Sequence, residues 1–523
     1  MRLLRSSLSA LRRRAAVGAT LVVGAAATLG VTACKNDVNI TDPNAPGSTN
    51  YFKTANDANA AVVATYNGLL RLGTFERWQA FSYDMRSDIG TSTSPWPQLQ
   101  AFVKFQFPSG YDFDVNRDTW NDSYTLIARA NEVTAKVPAI DMDAAQRTHL
   151  VGEAEFLRGL GYFHLMTLFG GRIPLITAPA SINDRPGSAD SAAVWAQIEK
   201  DFGDAVAALP EGETIQSNPG RANHDAAQGM LGKTLLQERK WGAAATALLP
   251  IIQSNRYGLD PSYAHLFTQD GNRGNTGGGK PETLFEVEFG SEATCGSQGI
   301  CGLNISRMVG PCGPSYCDGL PTQWYKDQFF VEPSAGLNHD KRIDATLYYY
   351  RGDTTMVYSS PWSVWETRDP AHYGNHNALY FKKYGEYYTG SDVQSWESQI
   401  NYKVLRYADI LLMYAEALNE QAQTAGAYEY VDMVRARAGL GALPRTLSQQ
   451  AMRDEILRQR LLEFGLEGQR WLDLGRQNLF ADLATLKAHD PDFNNFVPGK
   501  SELLPITQSE RNLNPNVQQN PGY

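Results

Sequence analysis

The sequence predicts a mainly α-helical protein in which helix pairs stack on one another and a loop-rich insertion with minor short β strands packs against them. Three observations predict it. Gly152–Ile176 places Ala154, Leu157, Gly161, His164, Leu165 and Leu168 at three- and four-residue spacing, one apolar helical stripe. A pair of short helices with alternating large and small residues occurs at Ala226–Ser254, and its plan returns at Asp409–Arg437. Between these pairs, Tyr257 to Tyr402 loses the helical period and fills with Gly, Pro, Asn, Ser and aromatic residues, broken by β-like runs at Thr283–Phe289 and Leu379–Tyr384. The 523 residues divide accordingly into 1–33, 34–50, 51–256, 257–402 and 403–523.

Residues 1–33 read as a secretory signal. Arg2, Arg5, Arg12, Arg13 and Arg14 precede an apolar or small-residue run, Ala15–Gly30, shorter than the ~20 residues a spanning helix needs. The run ends in Val31-Thr32-Ala33-Cys34, which resembles a bacterial lipobox. Cleavage before Cys34 and lipidation of its thiol are expected, with ordinary cleavage and a free Cys34 as the alternative. Residues 34–50 are polar, contain Pro43 and Pro46, and read as a tether. No later run is long and apolar enough to cross a membrane, so attachment through the lipid alone is expected.

In 51–256, Asn56–Leu72 is expected to be helical with Asn56 or Asp57 as its cap. Thr74–Gln98, with Trp78, Phe81, Tyr83, Trp96 and prolines among Ser, Thr and Asp, reads as a loop exposing its rings. Arg117–Val137 returns to helix. In the long helix that follows, Gly159 and Gly161 each cost about 1 kcal/mol relative to Ala, so another helix must pack very close. Gly170, Gly171 and Pro174 end it. Ser191–Leu209 is a further helix, stopped by Pro210. The pairs at 226–254 and 409–437 resemble tetratricopeptide units, and 55–135 and 147–209 offer two more. The roughly 150 residues between the pairs at 226–254 and 409–437 argue against a continuous solenoid. In 403–523, Met452–Arg476 reads as one helix or two. Its Arg460, Glu463, Glu467 and Arg470 read as ion pairs along a helix face, with a scaffold role and no catalytic one.

Four stretches in order carry a family resemblance: Gly152–Ile176, Lys403–Glu420 (KVLRYADILLMYAEALNE), Glu455–Arg476 (EILRQRLLEFGLEGQRWLDLGR) and Leu504–Tyr523, with LPIT followed by QNPGY. Together they resemble the SusD/RagB family of surface nutrient-binding lipoproteins. The resemblance implies a lipid-anchored protein on the outer face of the outer membrane. It also implies a SusC-like TonB-dependent outer-membrane receptor as partner, and an oligosaccharide or peptide captured and delivered by a lid-like motion without catalysis. It transfers no ligand residue.

The residues themselves limit the chemistry. A net charge of −9 argues against nucleic acid or anionic lipid as the main partner. The 8 histidines form no H-E-x-x-H spacing, and no G-x-S-x-G is present. Gly274–Pro281 falls short of a phosphate loop because Pro281 stands where a magnesium-binding hydroxyl belongs. No metal or cofactor is expected. Cys295, Cys301, Cys312 and Cys317 sit close together outside the cytoplasm. Two sequential disulfides are preferred, with a metal site or free thiols as alternatives.

Ligand recognition is placed in 257–402, because a loop region that long is normally functional. With Trp 10, Tyr 25 and Phe 21, some rings must lie outside the core. Trp78, Trp96, Trp324, Tyr325, Trp362 and Trp365 are the candidates for a platform on which the apolar face of a sugar ring could lie. A glycan hydrolase using a carboxylate pair in 257–402 is the competing class, and a scaffold binding only protein is a third.

Overall fold

The long helix is present and longer than its stripe. In chain order the helices are α1 (Ala55–Tyr66), α2 (Asp114–Lys136), α3 (Ala144–Phe169), α4 (Ser191–Ala208), α5 (His224–Gln237) and α6 (Trp241–Gln253). They are followed by β1 (Thr283–Val287), β2 (Tyr402–Arg406), α7 (Tyr407–Glu420), α8 (Thr424–Arg437), α9 (Gln449–Glu463) and α10 (Arg470–Arg476). The computed structural model describes residues 51–181, 183–290 and 302–523. Cys34, Cys295 and Cys301 lie outside these residues, as do the signal and the tether.

Helix ends follow local chemistry. Thr54, two or three residues earlier than expected, caps α1 in a reciprocal pairing with Asp57. The Asp143 carboxylate caps α3 by accepting from the Gln146 amide, and Gly170 ends the helix at φ +72°. The glycines of α3 are where neighbours press in. A Cβ on Gly161 would lie 2.9 Å from Ile127 of α2, and one on Gly159 would lie 3.1 Å from Phe202 of α4. Side chains of the neighbouring helices fill the space a methyl group would take, so the helices pack closely where the small residues predicted.

Each helix from α1 to α8 packs on the next. That includes α6 on α7, although the whole insertion separates them in the chain. The expected break in the helical array is therefore a break in sequence only, and in space the array is continuous. The antiparallel β1–β2 ladder explains how. It pairs Thr283 with Arg406 and Val287 with Tyr402, so the chain that leaves after α6 returns beside its own departure point and enters α7 at once. Residues 54–523 form one compact unit, and one apolar cluster runs from Leu69 to Val517 through all three stretches of the body.

Thr74–Gln98 departs from the loop expectation. It forms tight helical turns at Leu72–Glu76, Trp78–Ala80 and Phe81–Met85, and Trp78, Phe81 and Tyr83 are buried. Its polar groups have partners far along the chain. Asp84 accepts from the Gly468 amide at 2.8 Å, Arg86 donates to the Ser501 carbonyl at 2.8 Å, and Asp88 receives both Nε and Nη2 of Arg470 at 2.7 Å. These long-range bonds let a Ser- and Asp-rich segment run through the interior, while Ser82 Oγ, Asp84 Oδ1 and the Nε and Nη1 of Arg86 find no hydrogen-bond partner among the described residues.

The charged line that begins in α9 makes the expected ion pairs, but in the interior and not along one helix face. Arg460, Glu463, Glu467 and Arg470 are buried, and α9 ends at Glu463. Arg406 donates to Glu467 from Nε at 2.7 Å and from Nη2 at 2.8 Å, and from Nη1 to Glu463 at 3.0 Å and Glu282 at 2.5 Å. Arg437 joins Glu282 to Glu463, Arg342 joins Asp340 to Glu463, and Lys383 reaches Glu467. The cations Arg342, Lys383, Arg406 and Arg437 thus face the carboxylates of Glu282, Asp340, Glu463 and Glu467, and the charges balance. A second group joins Lys233 and Arg460 to Asp409, Arg460 and Arg476 to Asp473, and Arg476 to Glu416.

Removing one member of such a set leaves charge buried without compensation, a loss of about 3–5 kcal/mol. Arg406→Met should lower unfolding free energy by at least that amount in denaturant titration, and a loss below ~1 kcal/mol would mean that the site is screened as if exposed. Acid should act on the same groups. Burial pushes the Asp88 carboxyl up, but Arg470 outweighs it and brings it to about 2. Arginine charges likewise outweigh burial at Glu463, and Lys233 and Arg460 do so at Asp409. Folded values below the unfolded ~4 mean that this stability is present above pH ~5 and lost as pH falls toward 2. Asp84 has the opposite sign, because burial lifts it to about 8. Its contribution is complete below pH ~4 and lost as pH rises through 8. Asp84→Asn should therefore lose less stability between pH 5 and pH 8 than the unaltered chain.

Candidate ligand-binding site

The six rings named from the sequence do not form one platform. Trp362 and Trp365 are buried with Tyr348, Tyr358, Tyr373 and Tyr380 in a satellite core of the insertion. Their indole N–H groups donate to the carbonyls of Tyr373 at 3.2 Å and Val357 at 3.0 Å. A loop-rich segment has little apolar surface of its own, so its large rings are used to make a core. Tyr325 is fully buried, with its ring edge-on to Phe329 at 5.2 Å. Trp78 is buried and donates its indole N–H to Asp118 at 3.2 Å. None of these four offers a ring face to solvent. Trp324 is half-buried, and the imidazole of His489 is stacked on it at 3.7 Å. Trp96 is half-buried at the start of the short helix Pro97–Val103, edge-on to Phe113 at 4.8 Å and to Trp78 at 6.2 Å.

Rings that the sequence did not single out meet beside it. Tyr316 is 47% exposed, lies between the cysteines of the 312–317 loop, and sits 5.4 Å from the half-buried indole of Trp396. Guanidinium groups flank the pair. Arg307 lies 4.6 Å from the Tyr316 ring centre and 5.7 Å from that of Trp396, while Arg77 lies 5.1 Å from Trp396 and 5.2 Å from Trp78. Arg77 therefore links Trp396, from the Gly390–Ser398 stretch, to Trp78, whose ring meets Trp96 before α2.

The scaffold fixes these groups in several ways. Cys312 and Cys317 are joined by the expected disulfide, which closes the loop carrying Tyr316. Arg307 Nη1 donates to the carbonyls of Pro314 at 2.8 Å and Gln394 at 2.9 Å, tying that loop to the one that carries Trp396. The Leu303–Ser398 bridge holds the other side. Nε of Arg77 and Nε of Arg307 have no acceptor among the described residues. Arg117 pairs with Asp114 at 2.5 Å at the start of α2. Burial raises Asp118, despite the Trp78 N–H, and raises Asp318, despite Ser94. Burial also lowers Arg77 and lifts the adjacent Glu76 to about 7.

The arrangement provides flat apolar faces with donors and acceptors at their rims, suited to a ligand with C–H faces and hydroxyl edges. Cation–π contact holds each ring in place before a ligand arrives, which lowers the entropy lost on binding. A separate cavity of about 620 Å³ is lined by Thr167, Trp195, Arg239, Trp471 and Glu502, among others, and shares no residue with this platform. Its Trp471 is already packed against Arg86 at 4.4 Å and Phe480 at 4.6 Å.

Comparison with known proteins agrees with the architecture. Residues 253–523 match the model of the SusD family, and residues 72–236 match one described as starch-binding associating with outer membrane. SusD-like protein P2 of Formosa agariphila is 27% identical over 493 residues, covering 90% of this chain and 94% of that protein. A SusD superfamily protein from Bacteroides vulgatus superposes with a TM-score of 0.77 at 22% identity, over 90% of this chain and 100% of the other. A laminarin-binding SusD-like protein superposes with a TM-score of 0.70 at 27% identity, over 90% and 100%. Among the described residues no helix is long and apolar enough to cross a membrane. The first of these matches takes in more than half of the chain, including the β1–β2 ladder and all of α7 to α10, and the protein belongs to the SusD family.

Proposed function

We propose that this protein is a lipid-anchored surface protein that binds an oligosaccharide nutrient without cleaving it. It delivers the ligand to a SusC-like TonB-dependent channel in the outer membrane. Cys34 is the anchor in this reading, and the helical array is the face that rests on the channel. The observation that carries the reading is the platform of Trp396 and Tyr316 between Arg77 and Arg307, built on loops that a rigid helical body holds in place. A relative of the same build, 27% identical, is a laminarin-binding protein, which favours a glycan over a peptide as ligand.

The test is a glycan array probed with the chain lacking residues 1–34, followed by calorimetry and product analysis on the best ligand. Saturable binding without new reducing ends is expected. Trp396→Ala and Tyr316→Ala should each weaken it about tenfold, ~1.4 kcal/mol, with little change in melting temperature. Trp324→Ala should change affinity little, because His489 covers its face. New reducing ends that disappear when one acid is replaced would establish a hydrolase instead. Binding of neither glycan nor peptide, with copurification of a membrane barrel, would leave only a scaffold.

A further inference from the structure

The satellite core of the insertion carries a second constellation, remote in chemistry from ring stacking. Asp353, Glu366 and His376 each offer a ligand atom, and these atoms all lie within 4.8 Å of one another. They come from separate segments: the turn after the strand Leu347–Tyr349, the short helix Trp362–Arg368, and the stretch that follows the helical turn Pro370–Tyr373. His376 Nε2 lies 2.8 Å from Glu366 Oε1. Tyr350 organises the other side. Its ring is stacked on the His376 imidazole at 3.8 Å and 8°, and its hydroxyl donates to Asp353 Oδ1 at 2.6 Å. One tyrosine thus fixes the plane of the imidazole and the direction of the carboxylate.

We infer that Asp353, Glu366 and His376 form a surface site for a divalent transition metal of the zinc class. Imidazole with carboxylates suits Zn²⁺, Ni²⁺ or Cu²⁺, whereas Ca²⁺ and Mg²⁺ take oxygen donors only. Bonds of about 2.0–2.2 Å to one ion bring donors to within ~3–4 Å of each other, so exposed Asp353 and half-buried Glu366 need only small rotations. Among the described residues the other cluster of metal-binding side chains, Cys312, Cys317 and His372, is closed to metal because both thiols are in the disulfide. The consequence is structural. This lobe has a small core of its own, the disulfide secures its inner edge, and an ion at Asp353, Glu366 and His376 cross-links its outer edge. This reading does not depend on the ligand bound at Trp396.

The test is calorimetric titration of the purified chain with ZnCl₂, paired with amide hydrogen exchange. One equivalent should bind and slow exchange over residues 350–376. His376→Ala should remove that equivalent, and Glu366→Gln should weaken it at least tenfold. Tyr350→Phe, which keeps the stacked ring and loses the bond to Asp353, should weaken it by about tenfold. His372→Ala should leave it unchanged. His372 and His376 are exposed, and Tyr350 and Glu366 are half-buried and keep their size in these variants, so the metal-free melting temperatures should match the unaltered chain. No binding, or an equivalent that survives His376→Ala, would overturn the inference and leave His376–Glu366 as a simple ion pair.

Discussion

The buried charge network centred on Arg406 is the constraint on which the rest of the structure depends. Arg406 ends β2, where the insertion returns to the helical array, and its guanidinium meets carboxylates from both sides of that junction. Glu282 lies at the way out of the array, and Glu463 and Glu467 lie at the end of α9 and just beyond it. Arg342 and Lys383 bring charges from deep within the insertion to the same place. A buried ion set is a poor source of net stability compared with apolar packing, but it punishes any arrangement in which one member is missing. Its value here is registration: the insertion can dock on the array in one way only, because a shifted docking would strand several charges in a medium that cannot solvate them.

Registration matters because the candidate site is built from segments distant in sequence. Arg77 and Trp96 precede α2, Arg307 and Tyr316 lie in the middle of the insertion, and Trp396 lies near its end. Their mutual distances depend on the β1–β2 ladder and on the same charge network. The helices supply rigidity through close approach at Gly159 and Gly161, and the loops supply chemistry. The cores and the candidate site therefore rest on different side chains. The buried tryptophans Trp362 and Trp365 hold up the satellite core, while half-buried Trp396 and exposed Tyr316 remain available.

Much of the scaffold could be read along the chain. The stripe of α3, its Gly170 end, the helix pairs at 226–254 and 409–437 and the Cys312–Cys317 pairing are all local patterns, set by neighbours within a few residues. The site was less legible. Trp362 and Trp365 had the composition of a ligand platform, and Trp396 stood in an unremarkable Ser-rich stretch. The local signal at the candidate site was Tyr316, held between two close cysteines, since a disulfide that closes a short loop keeps a central side chain from folding inward.

By itself the sequence determined the helical class and the place where the helical period lapses, because period and capping residues act over one or two helical turns. Only the tertiary structure decided that α6 meets α7 across the insertion, that the charges after α9 are interior, and which aromatic faces stay open. Those outcomes depend on which surfaces cover one another between residues a hundred or more positions apart. A side chain's identity fixes what it can bury, and the packing of the whole chain settles what covers it.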